Sequence, residues 1–272
     1  MPSGEYLRYV ALGDSHTEGL GDGDDTVGLR GWADRLAEHL AAVNPGLRYA
    51  NLAVRGRVAG QVRAEQLGPA LALRPDLATV VAGVNDLLRP RFDAARVAEH
   101  LEEMFAALTA AGAHVVTLTV PDVGKIAPLA RPIGSRVFDL NTRIRAAADR
   151  HNVTVAETGR EAVATDARMW STDRLHASPL GHERIAAAVA QALHLPGSDD
   201  AWTLPLPPQA VPAGRQAVAA ELRWAATFLG PWLGRRLRGR SSGDGRTAKR
   251  PRLLPLSAAP DSPADAGQRE FS

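Results

Sequence analysis

The stretch "LATVVAGVND", residues 77 to 86, decides the fold. Its first residues are apolar or β-branched with no polar alternation, which is the pattern of a strand covered on both faces rather than one with a wet face. Pro75 and Asp76 precede it and Gly83 ends it, so turn-forming residues bound the run on both sides. Similar short runs occupy residues 6–12, 47–53, 114–119 and 153–157, which with 77–82 makes five strands. Helical patterns lie between them. "GWADRLAEHLAAV" carries Trp32, Leu36 and Leu40 at helical spacing, and "DAARVAEHLEEMFAALTAAG" sets Val97, Leu101, Met104, Phe105 and Leu108 on one face before Gly112 stops it. "SRVFDLNTRIRAAADRH" and "SPLGHERIAAAVAQAL" repeat the logic. Strand and helix alternating five times predicts an α/β chain with a doubly wound parallel sheet and right-handed crossovers. In such sheets ligands bind beyond the carboxyl ends of the strands.

Composition narrows the chemistry. The 272 residues, 45% hydrophobic and 23% charged, supply an ample core. There is no cysteine, which excludes a disulfide framework, a thiolate nucleophile and a cysteine-based metal site. Hydroxyl and carboxylate chemistry remain. The opening Met-Pro-Ser-Gly-Glu lacks the pattern of a secretory signal, and no apolar run is long enough to span a bilayer. The expectation is a soluble, cytoplasmic protein.

Each strand end carries polar residues. The first strand runs into Gly13-Asp14-Ser15, the second through Asn51 toward Gly56, the third into Gly83-Val84-Asn85-Asp86, and Asp173-Arg174-Leu175-His176 follows the fifth. Taken alone, Ser15 is as good a helix cap as a nucleophile, and Asn85-Asp86 is an ordinary turn. Together they make a site. A serine needs a base within hydrogen-bond reach, which His176 can supply, and Asp173 three residues earlier can hold the imidazole ring. Acyl transfer also needs donors for the developing oxyanion, and the Ser15 N–H, the Gly56 N–H and the Asn85 amide would provide them. A metal site built from Asp14, Asp86, Asp173 and His176 is the alternative use of the same residues.

The ordered set GDS, N-x-x-x-x-G, G-x-N-D and D-x-x-H over residues 6 to about 195 resembles the SGNH (GDSL-type) family of serine esterases and lipases. The resemblance implies a flavodoxin-like three-layer α/β/α sandwich, no cofactor and no metal. It also implies a Ser15–His176–Asp173 triad with Ser15, Gly56 and Asn85 as the oxyanion hole, acting on a small ester substrate. His16 stands where the family name has leucine, a position that varies. The G-x-S-x-G elbow of the α/β-hydrolases is absent around Ser15. The glycine-rich "GLGDGDD" at 19–25 is no dinucleotide fingerprint and is expected to shape one wall of the site.

Beyond residue 195 the character changes. Residues 196–214 read as a Pro/Gly-rich linker, 215–240 as an amphipathic helix with Val218, Leu222, Trp224, Phe228, Trp232 and Leu233, and 241–272 as a disordered basic and Pro-rich tail. Arg235, Arg236, Arg238, Arg240, Arg246, Lys249, Arg250 and Arg252 crowd together here; removing these eight from the formal net charge of +2 leaves the rest of the chain acidic by six. The favoured reading packs the helix stripe on the domain or a partner. The alternative lays it weakly on an anionic membrane or over the mouth of the site. Nucleic-acid binding by the tail is disfavoured, since no aromatics interleave with its charges after Trp232.

Overall fold

The computed structural model describes residues 6–209, 214–231, 234 and 241–256. Strand β1 (Arg8–Gly13) runs directly into a single helical turn, α1 (Ser15–Glu18). A small antiparallel ribbon, β2 (Gly23–Asp24) with β3 (Gly28–Leu29), leads to α2 (Trp32–Val43). Then come β4 (Arg48–Asn51), α3 (Ala59–Ala72), β5 (Leu77–Val81), the short α4 (Val84–Leu87) and the long α5 (Ala94–Ala110). The second half contains β6 (His114–Leu118), α6 (Val123–Ile126), α7 (Gly134–Arg150), β7 (Thr154–Ala156) and α8 (Pro179–Ala192). Beyond the expected domain lie a 3-10 turn (Ala201–Thr203), α9 (Arg215–Trp224) with the helical turn that continues it, and β8 (Arg250–Pro255).

All five expected strands form, and they run parallel in the order β7-β6-β5-β1-β4. That is the flavodoxin-like order, and its switch point lies beside β1, which pairs with β4 on one side and β5 on the other. Burial of both faces follows from the unbroken apolar runs. Val10 and Leu12 of β1 enter the core under α3, α5 and α7, while Tyr9 and Ala11 face α2 and α8 on the opposite side.

A sixth strand corrects the expectation for the tail. Within 241–272, residues 241–256 are ordered, and β8 adds to the free edge of β4 in antiparallel sense, with a bulge between Tyr49 and Asn51. The sheet therefore draws on chain outside residues 1–195. Pro251, Pro255 and the surrounding basic residues disguise β8 in the sequence, yet they suit an edge strand, whose outer side donates to no neighbour. Arg250 locks it: Nε donates to the Tyr49 carbonyl at 2.9 Å and Nη2 to the Pro255 carbonyl at 2.6 Å. Its guanidinium also lies 5.7 Å from the Tyr49 ring centre. The expected helix is α9, continued as a π-helical turn over Ala225–Leu229. Trp232, Leu233, Arg235, Arg236, Arg238, Arg240, residues 210–213 of the linker and residues 257–272 lie outside the described residues. Among the described residues no helix is long and apolar enough to cross a membrane.

Two buried side chains fix the carboxyl edge. Gln66 of α3 reaches under β1, accepting from the Gly13 N–H and donating to the Gly13 carbonyl, both at 2.8 Å. His182 of α8 accepts from the Trp32 N–H at 3.1 Å through Nδ1 and donates to the Leu20 carbonyl at 2.9 Å through Nε2. That bonding pattern requires the neutral ring, and burial lowers its pKa to about 4.

Replacing Gln66 with Leu leaves the buried Gly13 N–H unpaired, while the Gly13 carbonyl keeps the Val54 N–H at 3.3 Å. The change is expected to destabilise the fold by roughly 1–3 kcal/mol, read as a lower urea midpoint with unchanged m-value. A shift too small to measure would show that water replaces the amide. His182 sets a pH dependence. Between pH 6.5 and about 4 the unfolded chain binds a proton at this site that the folded chain does not. Its stabilising contribution is thus present above that window and is lost on acidification, by about 1.4 kcal/mol per pH unit at most. His182→Asn should flatten the fall in unfolding free energy over this window; parallel curves for the two proteins would contradict the assignment.

Candidate active site

Gly13 is the last residue of β1 because nothing larger fits: a Cβ there would lie 2.4 Å from Thr17 Oγ1 and 2.5 Å from the Val81 carbonyl. The chain then turns sharply, and Ser15 opens α1 at the switch point with 6% of its surface exposed. Asp14 caps this turn, its Oδ1 accepting from the His16 N–H at 3.2 Å. Ser15 is thus the first residue of a helix as well as a pocket-facing hydroxyl, and Asp14 is the cap.

From the far end of the sequence, Thr172–Ala177 folds back over Ser15. His176 Nε2 lies 2.9 Å from Ser15 Oγ, and Nδ1 lies 2.6 Å from Asp173 Oδ2. The other Asp173 oxygen accepts from Ser171 Oγ at 2.6 Å and from the Leu175 and His176 N–H groups at 2.9 and 3.0 Å. Burial alone would raise this carboxyl, but the hydrogen bond and charge of His176 and these donors outweigh it and hold Asp173 ionised, well below the usual carboxylate range. Neighbouring His16 is pushed down to about 3, first by burial and then by His176 and His182. No second imidazolium therefore competes beside His176 near neutral pH.

Gly56 and Asn85 reach the same cavity as Ser15 and His176. Among the described residues, neither the Ser15 N–H nor the Gly56 N–H finds a protein acceptor. Both are open donors. Asn85 differs: its Nδ2 donates to Asp14 Oδ2 and to the Arg57 carbonyl, each at 3.1 Å. Burial, partly offset by these donors, raises Asp14 to about 7. Among the described residues no group of three or more His, Asp or Glu side chains is placed to hold a metal ion.

Several residues that shape the site carry no sequence signature. Glu18 accepts from the Arg55 N–H at 2.6 Å and from the Arg55 guanidinium at 2.6 and 2.9 Å, setting the loop that presents Gly56. Asn51, which opens the N-x-x-x-x-G spacing, donates to the Thr17 carbonyl at 2.8 Å and accepts from the Ala53 N–H at 3.1 Å. It braces the loop from below, fully buried and outside the cavity. The glycine-rich segment does form one wall, with Leu20 and Gly21 lining the cavity. Gly21 sits so tightly against the His176 loop that a Cβ would lie 2.0 Å from the Ala177 carbonyl oxygen. The C-terminal segment arrives too. Trp224 Nε1 donates to the Asp173 carbonyl at 3.0 Å, and a Cβ on Gly56 would lie 2.2 Å from Ser241 Oγ. The described part of the helix packs on the domain through Trp224 and Glu221, at the loop that carries Asp173 and His176.

No curated protein sequence matches the chain. Among solved structures it is similar to the acetylxylan esterase Axe2 from Geobacillus stearothermophilus (TM-score 0.61, 19% identity, covering 74% of this chain and 100% of that one). It is also similar to a lipase/acylhydrolase from Enterococcus faecalis (0.56, 22%, 68% and 94%) and to TesA (0.56, 25%, 69% and 98%). Residues 11–184, which hold Ser15, Gly56, Asn85, Asp173 and His176, match the model of the GDSL-like lipase/acylhydrolase family, and the chain belongs to that family.

Proposed function

We propose that the protein hydrolyses carboxylic esters through an acyl-enzyme on Ser15. The observation that carries this reading is the continuous chain from Ser15 Oγ through His176 to Asp173, at 2.9 and 2.6 Å, opening into an apolar cavity of about 660 Å³. Membership of an acylhydrolase family supports ester hydrolysis as the reaction class. Ser15 Oγ attacks the ester carbonyl carbon as its proton passes to His176 Nε2, and ionised Asp173 stabilises the imidazolium that forms. The carbonyl oxygen gains the negative charge and lies against the open Ser15 and Gly56 N–H groups. Collapse of the tetrahedral intermediate breaks the bond to the alcohol oxygen, which takes the proton from His176. Water then repeats the sequence on the acyl-enzyme, giving up its proton to His176, and releases the acid with Ser15 restored.

Asn85 is the third oxyanion donor in this scheme. One of its amide protons must be shared between the Arg57 carbonyl or Asp14 and the oxyanion, a redistribution that strengthens as charge develops.

Ser15→Ala is expected to abolish turnover of p-nitrophenyl acetate and covalent capture of an alkyl fluorophosphonate, while the far-UV circular dichroism spectrum stays that of the parent. Capture surviving in the variant would move the nucleophile elsewhere. Asn85→Ala should lower kcat by roughly a hundredfold. A change confined to KM would instead make Asn85 a substrate-positioning residue.

A further inference from the structure

The cavity beside Ser15 is far larger than an acetyl group requires, and its walls are apolar. Leu87, Ile126 and Ile133 line one side, and Trp224, Phe228 and Leu229, from beyond the family match at 11–184, line another. Two of the charged side chains at its rim are engaged elsewhere. Arg136 donates to the carbonyls of Leu87, Arg89 and Pro90, and Arg174 is paired with Glu221 at 2.6 Å. Across most of this wall a sugar would leave its hydroxyls facing hydrocarbon, whereas an alkyl chain finds apolar partners.

The C-terminal wall is built onto the catalytic loop. Beside the bond from Trp224 to the Asp173 carbonyl and the Arg174–Glu221 pair, the Arg174 guanidinium lies 5.0 Å from the Trp224 ring centre. These three contacts pin α9 to the loop that carries Asp173 and His176. Immediately afterwards the helix widens into the π-helical turn Ala225–Leu229, which contains Phe228 and Leu229. Such turns are rare and cluster at functional sites. Leu222, on the same helix, is 67% exposed and lies outside the cavity.

We propose that Trp224, Phe228 and Leu229 form the wall of an acyl-chain site, which makes esters of long-chain fatty acids the substrate class. The inference rests on the ester chemistry assigned to Ser15, but chain binding can be measured without that chemistry.

The experiment uses the full chain carrying Ser15→Ala and two unreactive methyl ketones, 2-tridecanone and 2-heptanone, titrated by calorimetry. Each buried methylene should tighten binding by roughly fourfold, so the longer ketone should bind by well over tenfold more tightly. Adding Phe228→Ser or Leu229→Ser should weaken the longer ketone by about tenfold. The more conservative Phe228→Leu should restore most of that loss, and Leu222→Ser, outside the cavity, should leave the affinity unchanged. Equal affinity for the two ketones, or an affinity indifferent to Phe228→Ser, would overturn the inference. In parallel, the enzyme with Ser15 intact is assayed on p-nitrophenyl acetate and p-nitrophenyl decanoate. If it cleaves neither while the ketones still follow chain length, the Ser15 chemistry fails and the chain site stands. If it cleaves both with equal kcat/KM, the chain site fails and the Ser15 chemistry stands.

Discussion

Everything at the carboxyl edge depends on where β1 stops. The Gly13 peptide is the last of the strand, held from below by both hydrogen bonds of the Gln66 amide and from the side by the Val81 carbonyl and Thr17. A buried peptide cannot shift while both of its polar groups are paired, because moving it would leave two of them unsatisfied. Ser15, two residues on, inherits that rigidity. It sits where β1 parts company with both neighbours, so its hydroxyl looks into the crevice that the sheet topology opens at its switch point.

Around this fixed point the loops are tied by charge buried with its partner. Glu18 and Arg55 form a pair whose side chains are nearly sealed from water, and the Glu18 carboxylate also takes the Arg55 backbone N–H. Removing either partner would strand the other, which is why such pairs define a geometry even where they add little net stability. Asp173 follows the same rule: four donors share its two oxygens, and the carboxylate stays ionised despite its burial. Asp14 lies at the other extreme. Its burial outweighs the donors around it, and its pKa rises to about 7.

The C-terminal region gives the chain's lopsided charge a structural meaning. Arg246 pairs with Asp25 at 2.6 Å, Lys249 with Asp34 at 2.6 Å, and Arg250 spends its guanidinium on β4 and β8 carbonyls. Part of the basic segment is thus matched to the acidic domain that precedes it. The same segment carries Ser241 and Ser242 across the Gly56 loop, so an edge strand anchors chain that reaches the cavity beside Ser15.

The sequence by itself determined the parallel sheet, because doubly buried strands must be continuously apolar, and "LATVVAG" and its companions are. It also determined which polar residues meet, since Ser15, Gly56, Asn85, Asp173 and His176 all follow strands whose ends share one edge. Gln66, Glu18, Arg55 and His182 were illegible for a physical reason. Each acts through a partner from 37 to 162 residues away, and neither periodicity nor local spacing records a contact at that range. The edge strand β8 was hidden because Pro and Arg signal disorder locally, while the free edge of β4 that accepts it exists only in the folded sheet. Tertiary structure alone decided that Trp224 and Phe228, an apolar stripe like any other in sequence, face the cavity beside Ser15. An amphipathic helix specifies that one face must be covered, and only the packed domain supplies what covers it.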